Sequence, residues 1–498
     1  MSRVMESGVT RDAKALCANK TKGPAMGIGL GHRVAAGLIA GMLGLGAPVA
    51  ALADTLADAL AGAYNNSGLL EQNRALLRAA DEDVAVALSA LRPIVGWSAD
   101  VTYSDSRARS SVGGISTLRS GDNSSASLGL SAELVLYDGG RGRFGVDIAK
   151  ESVLATRQSL LAVEQNILLQ AVQAYTEVRS TTEIVALRRN NVRVITQELR
   201  AAQDRFEVGE VTRTDVALAE ARLAGANALL AQAEGDLAEA RAFYRFAVGR
   251  DAGTLAAPPA VPARPANVGI AQEAAMRNHP DIRRVQHEVA VSDLRVLVAK
   301  TARVPQVSLQ TRYGLTEDIG SSDYSRGGSI GIGVGGPIYQ GGRISALERQ
   351  TINFATAARS ALYEVSQRIA QNVSTAYARV DVARAARTAS DRQIRAARTA
   401  FEGVREEAML GARTTLDVLN AEQELLDAQA NLITATSNEY VAAYALLASM
   451  GQLTAENLGL RVQIYDPSSY YNQVQRAPLA ISPQGRQLDQ VLRSLGRE

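Results

Sequence analysis

Two rhythms of apolar residues divide this chain. In one, Val307, Leu309, Thr311 and Tyr313 alternate with Ser308, Gln310 and Arg312, and Ile330, Ile332 and Val334 alternate with Ser329, Gly331, Gly333 and Gly335. Earlier, Leu128, Leu130, Ala132, Leu134 and Leu136 alternate with Gly129, Ser131, Glu133 and Val135. A period of two predicts strands. Segments of about ten residues, apolar on one face and small or polar on the other, suit a membrane barrel with a wet lumen. A soluble antiparallel sheet with one buried face carries the same signature. Two such strand pairs, within 93–137 and 303–339, make four strands, and a closed barrel needs about eight or more. The barrel reading therefore requires several chains, three of them supplying about twelve strands.

The second rhythm has a period of seven. Val178, Val185, Val192, Leu199 and Phe206 recur in one register, as do Val216, Leu223, Leu230, Leu237 and Tyr244. Val418, Leu425, Leu432 and Leu446 repeat it, with Glu439 interrupting. Sustained heptads with charges between them predict coiled-coil packing. From Arg141 to about Arg205 there is no proline, which predicts a helix roughly 95–100 Å long. Glu207-Val208-Gly209 and Met409-Leu410-Gly411 then read as tight turns, with Gly209 and Gly411 at the hairpin tips because glycine takes positive φ without strain. The helices are rich in Ala with Gln, Asn, Arg and Glu interleaved, which fits a thin wall wetted on one side better than a solid bundle.

The two rhythms recur because the chain is a duplication. Leu136-Tyr137-Asp138-Gly139-Gly140-Arg141 returns as Ile338-Tyr339-Gln340-Gly341-Gly342-Arg343, an offset of 202. That offset also pairs Tyr175 with Tyr377, Gly209 with Gly411, Asp215 with Asp417 and Gly249 with Gly451. Upstream it becomes 212, pairing Asn66 with Asn278 and Pro93 with Pro305, so the first copy holds ten more residues, expected in a Ser/Gly-rich loop. Each copy reads as helix, two strands, long helix, turn, helix. The expected organisation is 54–250 for the first repeat, 251–270 for a linker containing the Pro/Ala run 256–265, 271–455 for the second repeat and 456–498 for a tail. The tail from Asp466 is polar, contains Pro478 and Pro483, and reads as flexible or as a wrap around the equator of the molecule.

Composition narrows the function. A net charge of +2 over 498 residues gives no sign of nucleic-acid binding. Val34–Val49 is apolar, follows His32 and Arg33, and precedes the small-x-small site Ala51-Leu52-Ala53, so residues 1–53 are expected to be an export leader, starting at Met1 or Met26. The single cysteine, Cys17, falls inside it, which excludes disulfides in the exported chain. Past residue 53 no apolar run is long enough for a spanning helix, so a membrane crossing would have to be a closed barrel. Gly331–Gly336 has the spacing of a dinucleotide loop, but Pro337-Ile338-Tyr339 continues as strand where that loop needs a helix. His279 and His287 are eight apart, too far for a helix-face metal pair, and His279 reads as a helix start. Trp97 reads as an interfacial anchor at the base of the first strand. No metal site, cofactor site or catalytic constellation emerges.

Three motifs carry a family resemblance. They are Asn278-His279-Pro280-Asp281-Ile282, Tyr-x-Gly-Gly-Arg after each strand pair, and Gly411-Ala412-Arg413-Thr414-Thr415-Leu416-Asp417-Val418-Leu419-Asn420-Ala421. With the duplication they make residues 54–455 resemble the TolC family of outer-membrane efflux and secretion channels. The resemblance implies an α+β membrane protein. Long antiparallel coiled-coil helices form an α-barrel in the periplasm, and each chain adds four strands to a trimeric twelve-stranded β-barrel in the outer membrane. It implies an exit duct for type I protein secretion or small-molecule efflux. The expected partners are two further copies, a periplasmic adaptor and an inner-membrane ABC or proton-driven transporter. It also implies a periplasmic gate at the helix tips, in which Arg413 faces Thr214 and Asp215, and a constriction ring of Asp417. Asn420 stands where the family has a second ring acid, and Ala408 stands where it has a gate tyrosine. Asp215 could equally be a helix cap. The alternative is a soluble periplasmic coiled-coil adaptor, whose strand faces would be buried within one chain.

Overall fold

The computed structural model describes residues 53–479 and 481–494. The expected leader therefore lies outside the described residues, Ala53 excepted. Each half opens not with one helix but with two. Helices α1 (Leu56–Asn66) and α2 (Gly68–Ser89) meet at Ser67, which ends the first and caps the second by accepting from the Leu70 amide at 3.3 Å. In the second half α5 (Val268–Asn278) and α6 (Pro280–Thr301) meet at His279. Its Nδ1 accepts from the Asp281 amide at 3.2 Å, and Pro280 follows at a first-turn position where no N–H is needed.

The strands β1 (Ile94–Val112), β2 (Ile115–Tyr137), β3 (Gln306–Asp318) and β4 (Tyr324–Gly335) form one antiparallel sheet in that order. The two repeats meet along β2 and β3, leaving β1 and β4 as free edges. The additional residues of the first repeat are not a loop. Strands β1 and β2 stay in register from Ile94–Glu133 out to Val112–Ile115, where Gly113 (φ 62°) and Gly114 (φ 86°) make the turn. The β2–β3 ladder begins only at Ser125–Asp318, so residues 103–124 form a two-stranded ribbon beyond the rest of the sheet. Both faces of this ribbon are polar, which is why no period-two signal marked it.

Strands β2 and β4 each feed a helix of 67 residues, about 100 Å long: α3 (Arg141–Glu207) and α7 (Arg343–Met409). Each returns as a shorter helix, α4 (Arg213–Val248) and α8 (Thr415–Ser449). Side chains that pack between helices are largely Ala and Val: Ala171, Val172, Val178, Ala219, Ala226 and Ala233 in the first hairpin, Val373, Val380, Ala428 and Ala435 in the second. Small residues let helix axes approach closely and leave a layer one or two helices thick.

The duplication also has a structural signature at the far ends of the hairpins. Gly249 (φ 82°) ends α4 against Asn66, and Gly451 (φ 74°) follows α8 against Asn278 and His279. Each repeat thus closes on the break in its own opening helices. Tyr175 donates to the Asp54 carbonyl at 3.1 Å and the Ala256 carbonyl at 2.7 Å, while its counterpart Tyr377 donates to the Pro265 and Ala266 carbonyls, both at 3.2 Å. The matched tyrosines hold the two ends of the Pro/Ala linker. Among the described residues the tail contains helices α9 (Pro467–Val474) and α10 (Pro483–Ser494), and Tyr470 donates to Glu82 on α2 at 2.8 Å.

Candidate functional site

The register assigns the sheet two chemically different faces, because residues paired across antiparallel strands share a side. One side carries Val95, Trp97, Val101, Leu128, Leu130, Leu309, Tyr313, Ile330, Ile332 and Val334. The other carries Gly96, Ser98, Gly129, Ser131, Gln310, Arg312, Gly331 and Gly333. The apolar side is uncovered: Ile330 and Trp97 are each 75% exposed. Trp97 lies in the apolar row opposite Leu130, three residues into β1. Among the described residues no helix is long and apolar enough to cross a membrane.

The helix tips are built twice on one plan. Gly209 (φ 80°) and Gly411 (φ 77°) reverse the chain. The Gly209 amide bonds the Phe206 carbonyl at 3.0 Å, and the Gly411 amide bonds that of Ala408 at 3.0 Å. Thr212 and Thr414 then begin the return helices with reciprocal caps. Asp215 accepts from the Thr212 amide at 2.9 Å and its hydroxyl at 2.7 Å, and returns its own amide to that hydroxyl at 3.3 Å. Asp417 repeats this on Thr414 at 3.0, 2.8 and 3.3 Å. The Thr212 hydroxyl and amide lower the pKa of Asp215, and the Thr414 amide and hydroxyl do so for Asp417, so both hold their charge.

The expected gate residues therefore have partners within their own hairpins. Arg413 donates its Nε–H to Glu407 at 2.7 Å, across its own turn. Asp215 serves its helix start, and Thr214 is exposed beside it. The contacts that join the first hairpin to the second lie farther from the tips. Arg222 on α4 donates to Asn420 on α8 at 2.7 Å. Asn191 on α3 donates to Glu422 on α8 at 3.3 Å. Burial, and then the nearby Glu198 carboxylate, push Glu422 up to about 7, against the opposing effects of Asn191 and Arg405. Within the second hairpin Glu439 is buried and accepts from Arg387 at 2.9 Å, with Arg384 at 3.4 Å. Of these, the sequence marked Glu439, as the break in a heptad, and Asn420, through the family resemblance, but not the partners of either.

Among the described residues no cluster of His, Cys, Asp and Glu is arranged to hold a metal ion. What the chain presents is a surface to a membrane, two free sheet edges and a paired set of capped helix tips. A four-stranded sheet with an uncovered apolar face, carried on two helical hairpins about 100 Å long, defines the protomer of an outer-membrane channel. The family model for outer membrane efflux proteins matches residues 60–250 and 271–452, and the chain belongs to that family. The outer membrane efflux protein BepC of Brucella suis biovar 1 is 37% identical over 440 residues, 88% of this chain and 94% of that one. The outer membrane protein TolC of Vibrio cholerae is 25% identical over 430 residues, 82% of this chain and 94% of its own. The solved structure of the outer membrane protein VceC from Vibrio cholerae matches with a TM-score of 0.67 at 20% identity, covering 80% of this chain and 96% of that one. The protein is thus placed in the outer membrane, with the α-barrel and β-barrel architecture of TolC-type channels.

Proposed function

We propose that three copies of this chain form a passive exit duct, closed at the helix tips, through which an inner-membrane transporter and a periplasmic adaptor drive cargo out of the cell. The observation that carries this reading is the open sheet. Strands β1 and β4 are unpaired edges and the face between them is apolar and exposed, so the sheet satisfies its backbone in lipid only by joining other copies into a closed ring. The soluble adaptor reading would need those side chains buried within one chain, and they are not.

In the assembled duct Arg413 reaches Thr214 and Asp215 of a neighbouring copy or releases them, with Glu407 as the partner that holds Arg413 when the neighbour does not. Symmetry-related copies of Asp417 form the acidic ring, and Asn420 lines the same level as a neutral member. Three like carboxylates around a pore favour cations. Small-molecule efflux is the transport mode we favour, on the strength of 37% identity to a relative named as an efflux protein. The test joins mass measurement in detergent with single-channel recording. A trimer that conducts poorly until Arg413→Ala and Asp215→Ala are introduced supports the duct and its gate. A monomer that extracts without detergent refutes both. Dye accumulation in a deletion strain, with its secreted proteins unchanged, separates efflux from type I secretion.

A further inference from the structure

We infer that the C-terminal segment 476–494 lies on the periplasmic leaflet of the outer membrane and binds anionic phospholipid there. The segment is brought to the base of the membrane sheet by one side chain. Arg92, two residues before β1 begins, donates one guanidinium N–H to the Ala477 carbonyl at 2.6 Å and another to the Arg476 carbonyl. Ala477 itself has φ 44°, a left-handed conformation that L-residues seldom adopt, and Pro478 follows it. The chain turns sharply where Arg92 grips it.

Directly after the turn come two large apolar side chains with no cover: Leu479 is 66% exposed and Ile481 is 79% exposed. The Arg92 contact brings this stretch to the start of the sheet, where Val95 of the apolar face is 72% exposed. Helix α10 then begins at a cap in which the Gly485 amide donates to the Ser482 hydroxyl at 3.0 Å. Leu488 packs under it against Tyr470 and Val474, so the helix is fastened to α9, and α9 is in turn fastened to α2 by the Tyr470–Glu82 bond. Arg486 and Arg493 are exposed on its outer surface. Arg486 folds back to donate to the Ile481 carbonyl at 3.0 and 3.3 Å, which sets a guanidinium next to an exposed apolar residue.

The composition matches the position. Residues 476–494 hold three arginines against the single acid Asp489. A basic amphipathic segment beside exposed Leu and Ile lies in an interface, apolar groups in the acyl boundary and guanidinium groups among phosphates. Docking on another copy of the chain is the competing use of the same side chains. The anchorage at the base of the membrane sheet and the arginine excess favour lipid.

The experiment uses the full chain in a Cys17→Ser background, labelled with an environment-sensitive dye at Ile481→Cys and, as a control near the helix tip, at Glu220→Cys. The protein is reconstituted into vesicles of phosphatidylethanolamine with or without phosphatidylglycerol, with a nitroxide on the lipid headgroup region. The expected result is strong quenching at position 481 in anionic vesicles and none at 220. Adding Arg486→Glu and Arg493→Glu lowers lipid occupancy by about fivefold per arginine, the factor one basic side chain contributes near an anionic surface. A label at 481 as water-exposed as the label at 220 overturns the inference. So does a label that is buried yet unquenched by lipid, because a second copy then covers it. Quenching indifferent to phosphatidylglycerol overturns the anionic recognition. Conductance of the same samples is read in parallel: its loss with quenching intact strikes the duct reading and leaves the lipid contact standing.

Discussion

Asn191 and Glu422 belong to different repeats, and the 3.3 Å hydrogen bond between them ties α3 to α8 where both helices are close-packed. Glu422 is the group there whose charge is most easily changed. Its pKa rises from 4.5 to about 7, and an acid raised in this way keeps a proton in the folded protein that the opened chain has already released. Its contribution is therefore complete below pH 4.5 and is lost as pH climbs through about 7. Protection factors in α3 and α8, with the intrinsic pH dependence of amide exchange divided out, should fall between about pH 4.5 and 7 in the native protein and level off above that. In Glu422→Gln they should not change over the same range. Protection factors that are flat with pH in the native chain would show that the proton on Glu422 does not support this contact.

The Arg222–Asn420 contact also links the repeats, but at the surface. One exposed contact of this kind contributes about 0.5 kcal/mol, and a trimer breaks three together, about 1.5 kcal/mol in all. Arg222→Ala should thus raise the open-to-closed ratio in single-channel records by about tenfold. An unchanged open probability would place the hold elsewhere at the tips.

Removing the charge of Asp417 separates selectivity from folding. In Asp417→Asn the helix keeps an amide side chain able to accept from Thr414, while the ring loses its negative charge. The reversal potential in a potassium chloride gradient should move toward zero with helix content unchanged by circular dichroism. Retained cation preference would remove Asp417 from the pore.

Glu439 should show the asymmetry of buried ion pairs. Arg384 and Arg387 remain partly in water, whereas Glu439 is 6% exposed. Glu439→Leu restores the heptad and should change stability by less than about 1 kcal/mol. Arg384→Ala with Arg387→Ala strands the carboxylate and should cost about 3 kcal/mol. Thermal unfolding of both variants decides the matter, and equal losses would contradict it.

The paired glycines offer a test of the duplication at atomic scale. A Cβ on Gly249 would lie 2.5 Å from the Asn66 Cβ, an atom that rotation of that side chain does not move, and one on Gly451 would lie 2.8 Å from the His279 Cα and 3.0 Å from the Asn278 carbonyl oxygen. Both substitutions add a left-handed backbone penalty of about 1–2 kcal/mol. Gly249→Ala and Gly451→Ala should therefore each lose more than about 2 kcal/mol in denaturant titrations, and a loss no larger than the backbone penalty at either site would show that the helix break there yields.

What could be read from the residues followed from periodicity. The 67-residue helices were legible because heptads persist and proline is absent, and the sheet because one of its faces is greasy. The break at Ser67 was not, since a serine inside an apolar helical pattern is tolerated and only its cap geometry shows that the helix restarts. The ribbon at 103–124 escaped because backbone pairing, not side-chain burial, defines it. At the tips, the turn glycines and the acids were found, but their pairing within each hairpin depends on caps three residues long. Asn191–Glu422 and Arg222–Asn420 join positions roughly two hundred residues apart, and no single-chain pattern marks them.

The first repeat's long β1–β2 ribbon has no counterpart in the second. In a threefold assembly this leaves three serine- and arginine-rich fingers, not six, standing clear of the bilayer on the side away from the helices. On the proposed trimeric duct, these fingers would be what antibodies, phage and proteases outside the cell meet first. The Gly113–Gly114 bend at each fingertip is accordingly the place where an epitope tag can be inserted to count these channels on living cells without touching lipid, pore or gate.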